Sequence, residues 1–259
     1  MKQLNAILTI AYRDLLKFLR DPARIVGTLV LPMLFVLVMG GSLQANLGKG
    51  LGFNLLTYTF TGIFAETLFL STTTGIISLI EDRENDFSQE IFVSPVSRYA
   101  IIFGKIFGES LVAMTQAIGV IVFGFVAGVP LTPLAVLALI PVGIATCLLG
   151  GSFGVVLISL FSSQRAANQV IPFLLIPQFF LAGVFNPIRV LPGYLDVLSH
   201  LSPLRYAVDL ARNLFYAGQP DYSRVVLESP LVNLTIMAGL FALFLILGTT
   251  VFVRSERNR

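Results

Sequence analysis

Six apolar runs alternate with polar breaks along the chain, at roughly 25–43, 55–80, 100–126, 134–160, 167–185 and 231–253. A helix rises about 1.5 Å per residue, so a run of about 20 residues crosses the roughly 30 Å hydrocarbon core of a bilayer. The pattern predicts an all-α integral membrane fold with six transmembrane helices. Residues 1–24 are patterned differently. On a helical wheel Leu4, Leu8, Ala11, Tyr12, Leu15 and Leu19 share one face, while Arg13, Lys17, Arg20 and Arg24 share the other. That is the pattern of an amphipathic helix lying in the membrane surface, its basic face toward the headgroups. Between the fifth and sixth runs, 186–230 carries apolar residues at helical spacing (Leu195, Leu198, Leu201, Val208, Leu214), with Pro203 between two short segments. These read as external, partly re-entrant helices, because irregular backbone at membrane depth must be shielded by protein.

Composition agrees. Of 259 residues, 56% are hydrophobic and 12% charged, against about a quarter charged in soluble domains. The chain reads as one transmembrane domain over 1–259. The net charge of +3 is too small to suggest a nucleic-acid partner, but its placement sets an orientation. Twelve Lys and Arg fall on the side that holds both termini and the 81–98 connection, and five on the other. By the positive-inside rule both termini are cytoplasmic, and the expected location is the inner (plasma) membrane. One cysteine, Cys147, and one histidine, His200, exclude an internal disulfide and argue against a metal site.

The longest cytoplasmic connection, 81–98, is dense in charge but places Phe87 and Ile91 one helical turn apart. Acidic residues open it and Pro95 closes it, as in a short amphipathic helix. Apolar knobs ringed by charge suit a peg for another protein's groove; an ordinary solvated loop is the bland alternative. No G-x-x-x-x-G-K-[ST] phosphate loop occurs, so the chain is expected to be no enzyme and to bind no cofactor of its own.

The run Asp82-Arg83-Glu84, Phe87, Glu90, Ile91, Val93, Pro95-Val96-Ser97-Arg98, followed by Gly104, Lys105, Gly108, Ala113 and Gln116, resembles the coupling-helix region of type-2 ABC exporter permeases of the drug and lipo-oligosaccharide branch. A second block, Phe180 to Pro187 with Leu191-Pro192, Leu201 to Tyr206 and Asp209, resembles the same family. Asp86 stands where the family usually has Gly. The resemblance implies a half-transporter that pairs with a second permease, identical or similar. A separate ATPase subunit, carrying ATP and Mg, docks on Arg83, Glu84, Phe87, Glu90, Ile91 and Pro95. The implied cargo is amphipathic: a drug, a lipid or a lipid-linked glycan. An integral membrane lipid-modifying enzyme is the competing class, but no His or metal-ligand spacing accompanies the carboxylates of 81–90.

Within the apolar runs, charge stands out. Glu66 lies near the middle of the second run, where an ionised carboxylate costs at least about 2.5 kcal/mol. It is either a substrate-contact or gating residue or a protonated or hydrogen-bonded packing residue. Lys105 and Glu109 stand four residues apart, as an intramembrane ion pair would. The small residues Gly150, Gly151, Ser152 and Gly154 allow close approach of a neighbouring helix.

Overall fold

The computed structural model describes residues 2–80, 97–161 and 163–257, and the described residues form helices and connections without a strand. α1 (Lys2–Leu19) ends at a break forced by Pro22, which has no N–H to continue it. Asp21 accepts the Arg24 N–H at 2.9 Å and starts α2 (Pro22–Leu34). Arg24 therefore belongs to the first turn of the second helix, not to the surface helix whose basic face it was expected to share. α2 passes through a wide π turn (Phe35–Gly40), just beyond Pro32, into α3 (Gly41–Leu51). Gly52, at φ 70°, ends that rod.

α4 (Leu55–Gly75) starts on the Asn54 cap and is buried on nearly every side. Tight turns carry it on to Ile80. α5 (Arg98–Val126) starts on Ser97 and α6 (Pro133–Ser159) on Thr132, each cap accepting an N–H three residues on. α7 (Gln164–Leu181) starts on Ser163 and contains Pro172 and Pro177. Two short helices, α8 (Gly193–Leu201) and α9 (Pro203–Phe215), meet at Ser202. α10 (Tyr222–Val225) leads into α11 (Pro230–Arg257).

Five helical runs are long and apolar enough to cross a membrane: Pro22–Gly48, Leu55–Ile80, Arg98–Val126, Pro133–Ser159 and Tyr222–Val251. The run expected at 167–185 falls on α7, whose 18 residues include Gln164, Arg165, Asn168, Gln169 and Gln178. These polar positions keep it out of that group.

α4 is the hub, flanked by α5, α6 and α9, while α11 covers α6 and α7 sits at the edge. Close approach of α6 to α4 depends on glycine. A Cβ at Gly150 would stand 2.7 Å from the Phe69 carbonyl oxygen, and one at Gly154 would stand 2.7 Å from that of Thr73. In the space left, Thr73 donates its hydroxyl to the Gly150 carbonyl at 3.0 Å. Small residues thus let two backbones touch where apolar lipid gives helices no solvent-driven reason to associate.

α1 is more than a surface helix: it packs lengthwise on the first third of α5. Gly104 lies against Ile7 and Ile10, and Gly108 against Ala11 and Asp14. The face buried there is centred on Ala11, Asp14 and Phe18. Leu4, Leu8, Tyr12 and Leu19, on the expected apolar face, stay exposed, as do Lys17 and Arg20 on the basic one. The helix thus has three faces where the hydrophobic pattern alone suggests two.

Candidate functional site

Four carboxylates are buried among the described residues: Asp14, Glu66, Glu109 and Asp209. Burying a charge without a partner is expensive, so the surroundings of each show what it is there for.

Asp14 and Glu109 share one cation. Lys105 Nζ is 2.7 Å from Asp14 Oδ2 and 2.9 Å from Glu109 Oε1. Arg13 donates to the other Asp14 oxygen at 3.1 Å. The pair suggested by the four-residue spacing is thus half of a three-residue cluster joining α1 to α5. Gly75 of α4 makes room for the Glu109 carboxylate, whose Oε2 has no hydrogen-bond partner. Asp14 gave no signal in the sequence, since it lies 91 positions from Lys105.

Asp209, on α9, collects only neutral donors. The backbone N–H groups of Leu227 and Glu228 reach it at 2.8 and 2.9 Å, and Asn233 Nδ2 reaches it at 2.7 Å. α9 is buried on almost every side despite its polar sequence. Arg212, fully buried, donates to the Gly183 carbonyl at 2.7 Å and lies 3.5 Å over the Tyr58 ring. That cation–π contact offsets part of the cost of burying its charge. Arg205 donates to Ser199 Oγ at 2.7 Å. His200 lies half-exposed at the end of α8, its Nδ1 2.8 Å from the Asp196 carbonyl oxygen.

Glu66 is different. It is 6% exposed, yet its one hydrogen bond is from Thr67 Oγ1 at 3.5 Å, the limit of a useful contact. No Lys, Arg or His among the described residues forms an ion pair with it. It lines a cavity of about 290 Å³ between α2, α4 and α5. From α4 the wall comprises Glu66, Thr67, Leu70, Ser71 and Thr74, four polar positions at helical spacing with Leu70 among them. α5 contributes Gln116, and α2 contributes Arg24, Gly27, Thr28, Leu31 and Pro32, with Phe35 just beyond them. Pro32 has no N–H, so the Thr28 carbonyl lacks its usual donor four residues on. The cleft is therefore apolar at Leu31, Pro32 and Phe35, hydroxyl-lined at Thr67, Ser71 and Thr74, and holds one carboxyl group, Glu66, and one cation, Arg24, that are not paired with each other. Arg24 lies at the start of α2, its guanidinium 5.6 Å from the Phe18 ring.

The other expected contact residues, Arg83, Glu84, Phe87, Glu90, Ile91 and Pro95, lie outside the described residues. What is described on either side is telling. α4 runs to Ile80 and α5 starts at Arg98, so the 81–96 segment joins the two helices that carry Glu66 and Gln116. Among the described residues, no three His, Cys, Asp or Glu side chains cluster as metal ligands would.

Comparison with known proteins gives a consistent picture. A family model described as ABC-2 type transporter matches residues 5–216. The ycf38 protein of Cyanophora paradoxa, provisionally named a transport permease, is 25% identical over 256 residues, covering 93% of this chain and 85% of that one. The daunorubicin resistance ABC transporter permease protein DrrB1 of Streptomyces coeruleorubidus is 24% identical over 256 residues, 93% of this chain and 83% of its own. The inner membrane transport permease YadH of Escherichia coli (strain K12) is 25% identical over 191 residues, 71% of this chain and 73% of its own.

Proposed function

The chain belongs to the ABC-2 type transporter family, and we propose that it is the membrane-spanning half of an ATP-driven exporter that moves an amphipathic substrate out of the cytoplasm. It is a multi-pass permease subunit, in a family whose members work with a separate ATPase subunit. In our reading α7 is the sixth span, two permeases pair, and two ATPase subunits dock beneath them. Both termini face the cytoplasm of a cell with this chain in its inner membrane. Twelve Lys and Arg on one side against five on the other support that orientation. Lys17 and Arg20, exposed at the end of the first helix, then face lipid headgroups.

The observation that carries the reading is the polar cleft walled by α2, α4 and α5. A hydroxyl-lined recess with a carboxylate, set in apolar helices, is costly unless something polar uses it. Its walls meet at the places where force would enter. The 81–96 segment links α4 to α5, and the Asp14–Lys105 ion pair fastens α1, which leads into α2, to α5. A push on that segment by an ATPase closing around ATP would move two walls directly and the third through α1. Hydrolysis itself takes place on the partner.

The docking contact is testable. Fully burying a Phe or Ile is worth roughly 1.5–3 kcal/mol. The double substitution Phe87→Ala with Ile91→Ala should therefore cut recovery of the ATPase with the tagged permease by tenfold or more and abolish its coupled ATP turnover. Membrane insertion should be unaffected. Wild-type complex yield and turnover in the double variant would place the contact elsewhere.

A further inference from the structure

Among the described residues, Glu66 is the one buried carboxylate with no ion pair and no hydrogen bond shorter than 3.5 Å. Lys105 serves Asp14 and Glu109, and backbone and amide N–H groups serve Asp209. Glu66 is also the only one of the four that lines the cleft. The one hydrogen bond it receives is the long one from the Thr67 hydroxyl at 3.5 Å, and Ser71, Thr74 and Gln116 line the same cleft without a hydrogen bond to it. The cation of the cleft, Arg24, lies at the start of α2, drawn toward the Phe18 ring of α1. Eleven residues of helix, about 16 Å, separate Arg24 from Phe35 along the α2 wall. The cleft thus sets an apolar wall at Leu31, Pro32 and Phe35 beside a carboxyl group that no cation pairs with in the empty cleft.

We infer that the Glu66 cleft selects amphipathic cations: a positively charged head pairs with the Glu66 carboxylate while an apolar body lies against Leu31, Pro32 and Phe35. This rests on the transport reading and adds the charge of the cargo to it. A charged partner brought to a desolvated carboxylate interacts far more strongly than in water, and the hydroxyl stripe replaces part of the head's hydration. An anionic amphiphile would meet Glu66 as a like charge. An uncharged one could offer Glu66 a hydrogen bond but no opposite charge.

The test uses two probes of matched shape and opposite charge, tetraphenylphosphonium and tetraphenylborate. Saturable binding of each is measured on the purified permease–ATPase complex in lipid nanodiscs, with empty nanodiscs subtracted. Tetraphenylphosphonium should bind at least tenfold tighter than tetraphenylborate. Glu66→Gln, which keeps shape and removes charge, should weaken the cation by roughly tenfold or more and erase the preference, while Glu66→Asp retains part of it. Equal binding of the two probes to the wild type overturns the inference without reliance on any variant. So does a Glu66→Gln variant that keeps wild-type cation affinity. ATP turnover in the same preparation separates the two readings. Charge-blind binding with intact coupled turnover refutes only the choice of cations. A permease that recruits no ATPase refutes the transport reading, whichever probe it binds.

Discussion

Glu109 and Gln116 stand seven residues apart, on one face of α5, and they belong to opposite kinds of environment. At Glu109 three helices close on a cluster in which Lys105 answers two carboxylates within 3 Å. Two turns along, Gln116 lines an open cleft where Glu66 forms no ion pair. The chain could have placed another lysine beside Glu66, as it placed Lys105 beside Glu109 about three turns back along α5, and it did not. Where charge is matched, it fastens helices. Where it is left unmatched beside empty space, it is available to something that comes and goes. The α9 network around Asp209 is a second case of the first kind, built from neutral donors.

The contrast fixes the sign and rank of three stability changes. The chain carries its own reporter: Cys147 is the sole thiol and is buried, so its labelling on heating reports unfolding without any tryptophan. The largest loss should come from Lys105→Met. It leaves two buried carboxylates facing each other, and breaking such a pair costs about 3–5 kcal/mol. Adding Asp14→Asn should recover part of that loss, since it removes one of the stranded charges. If Lys105→Met labels at the wild-type temperature, the cluster is not a fastener and the two regions are not different in kind.

Asp209→Asn should come next, at about 1.5–3 kcal/mol, the usual value of hydrogen bonds to a charged group. The N–H groups of Leu227 and Glu228 go to different oxygens of Asp209, so asparagine keeps an acceptor for one and turns a donor toward the other. The loss should therefore appear as earlier Cys147 labelling and lower yield in the membrane, unlike a defect confined to transport.

How much of this could be read from the sequence follows from the range of each interaction. Long helices were legible, because a bilayer enforces continuous apolar runs, and the caps at Asn54, Ser97, Thr132 and Ser163 follow from local side-chain chemistry. Glu66 was legible as an anomaly, one charge in an apolar run. The cleft was not, because α2 and α5 reach it from distant parts of the chain. Asp14 was hidden for the same reason, and it sat on a face of α1 that the two-faced wheel treats as a seam. α9 was misleading in another way. Arg205, Asp209, Arg212 and Asn213 are of residue types usually found exposed, yet all four are buried. Its partners, the Gly183 carbonyl and the N–H groups of Leu227 and Glu228, are backbone atoms, which a sequence pattern does not display.

The smallest expected effect divides the two environments most cleanly. Glu66→Gln removes a charge that nothing in the described chain matches, so it should change unfolding by less than about 1 kcal/mol, or raise stability, since a buried ion without a partner costs more than the amide that replaces it. The amide can also keep its contact with Thr67, now 3.5 Å from Glu66 Oε2. The same substitution made at a matched carboxylate, Glu109→Gln, removes half of the Lys105 neutralisation and should cost measurably more. The comparison is therefore between two isosteric changes on neighbouring helices, read by one thiol. Later Cys147 labelling in Glu66→Gln and earlier labelling in Glu109→Gln is the expected result. Equal destabilisation by both would mean that Glu66 is a packed structural carboxylate like the others, and that the space beside it is a defect of packing with no role in transport.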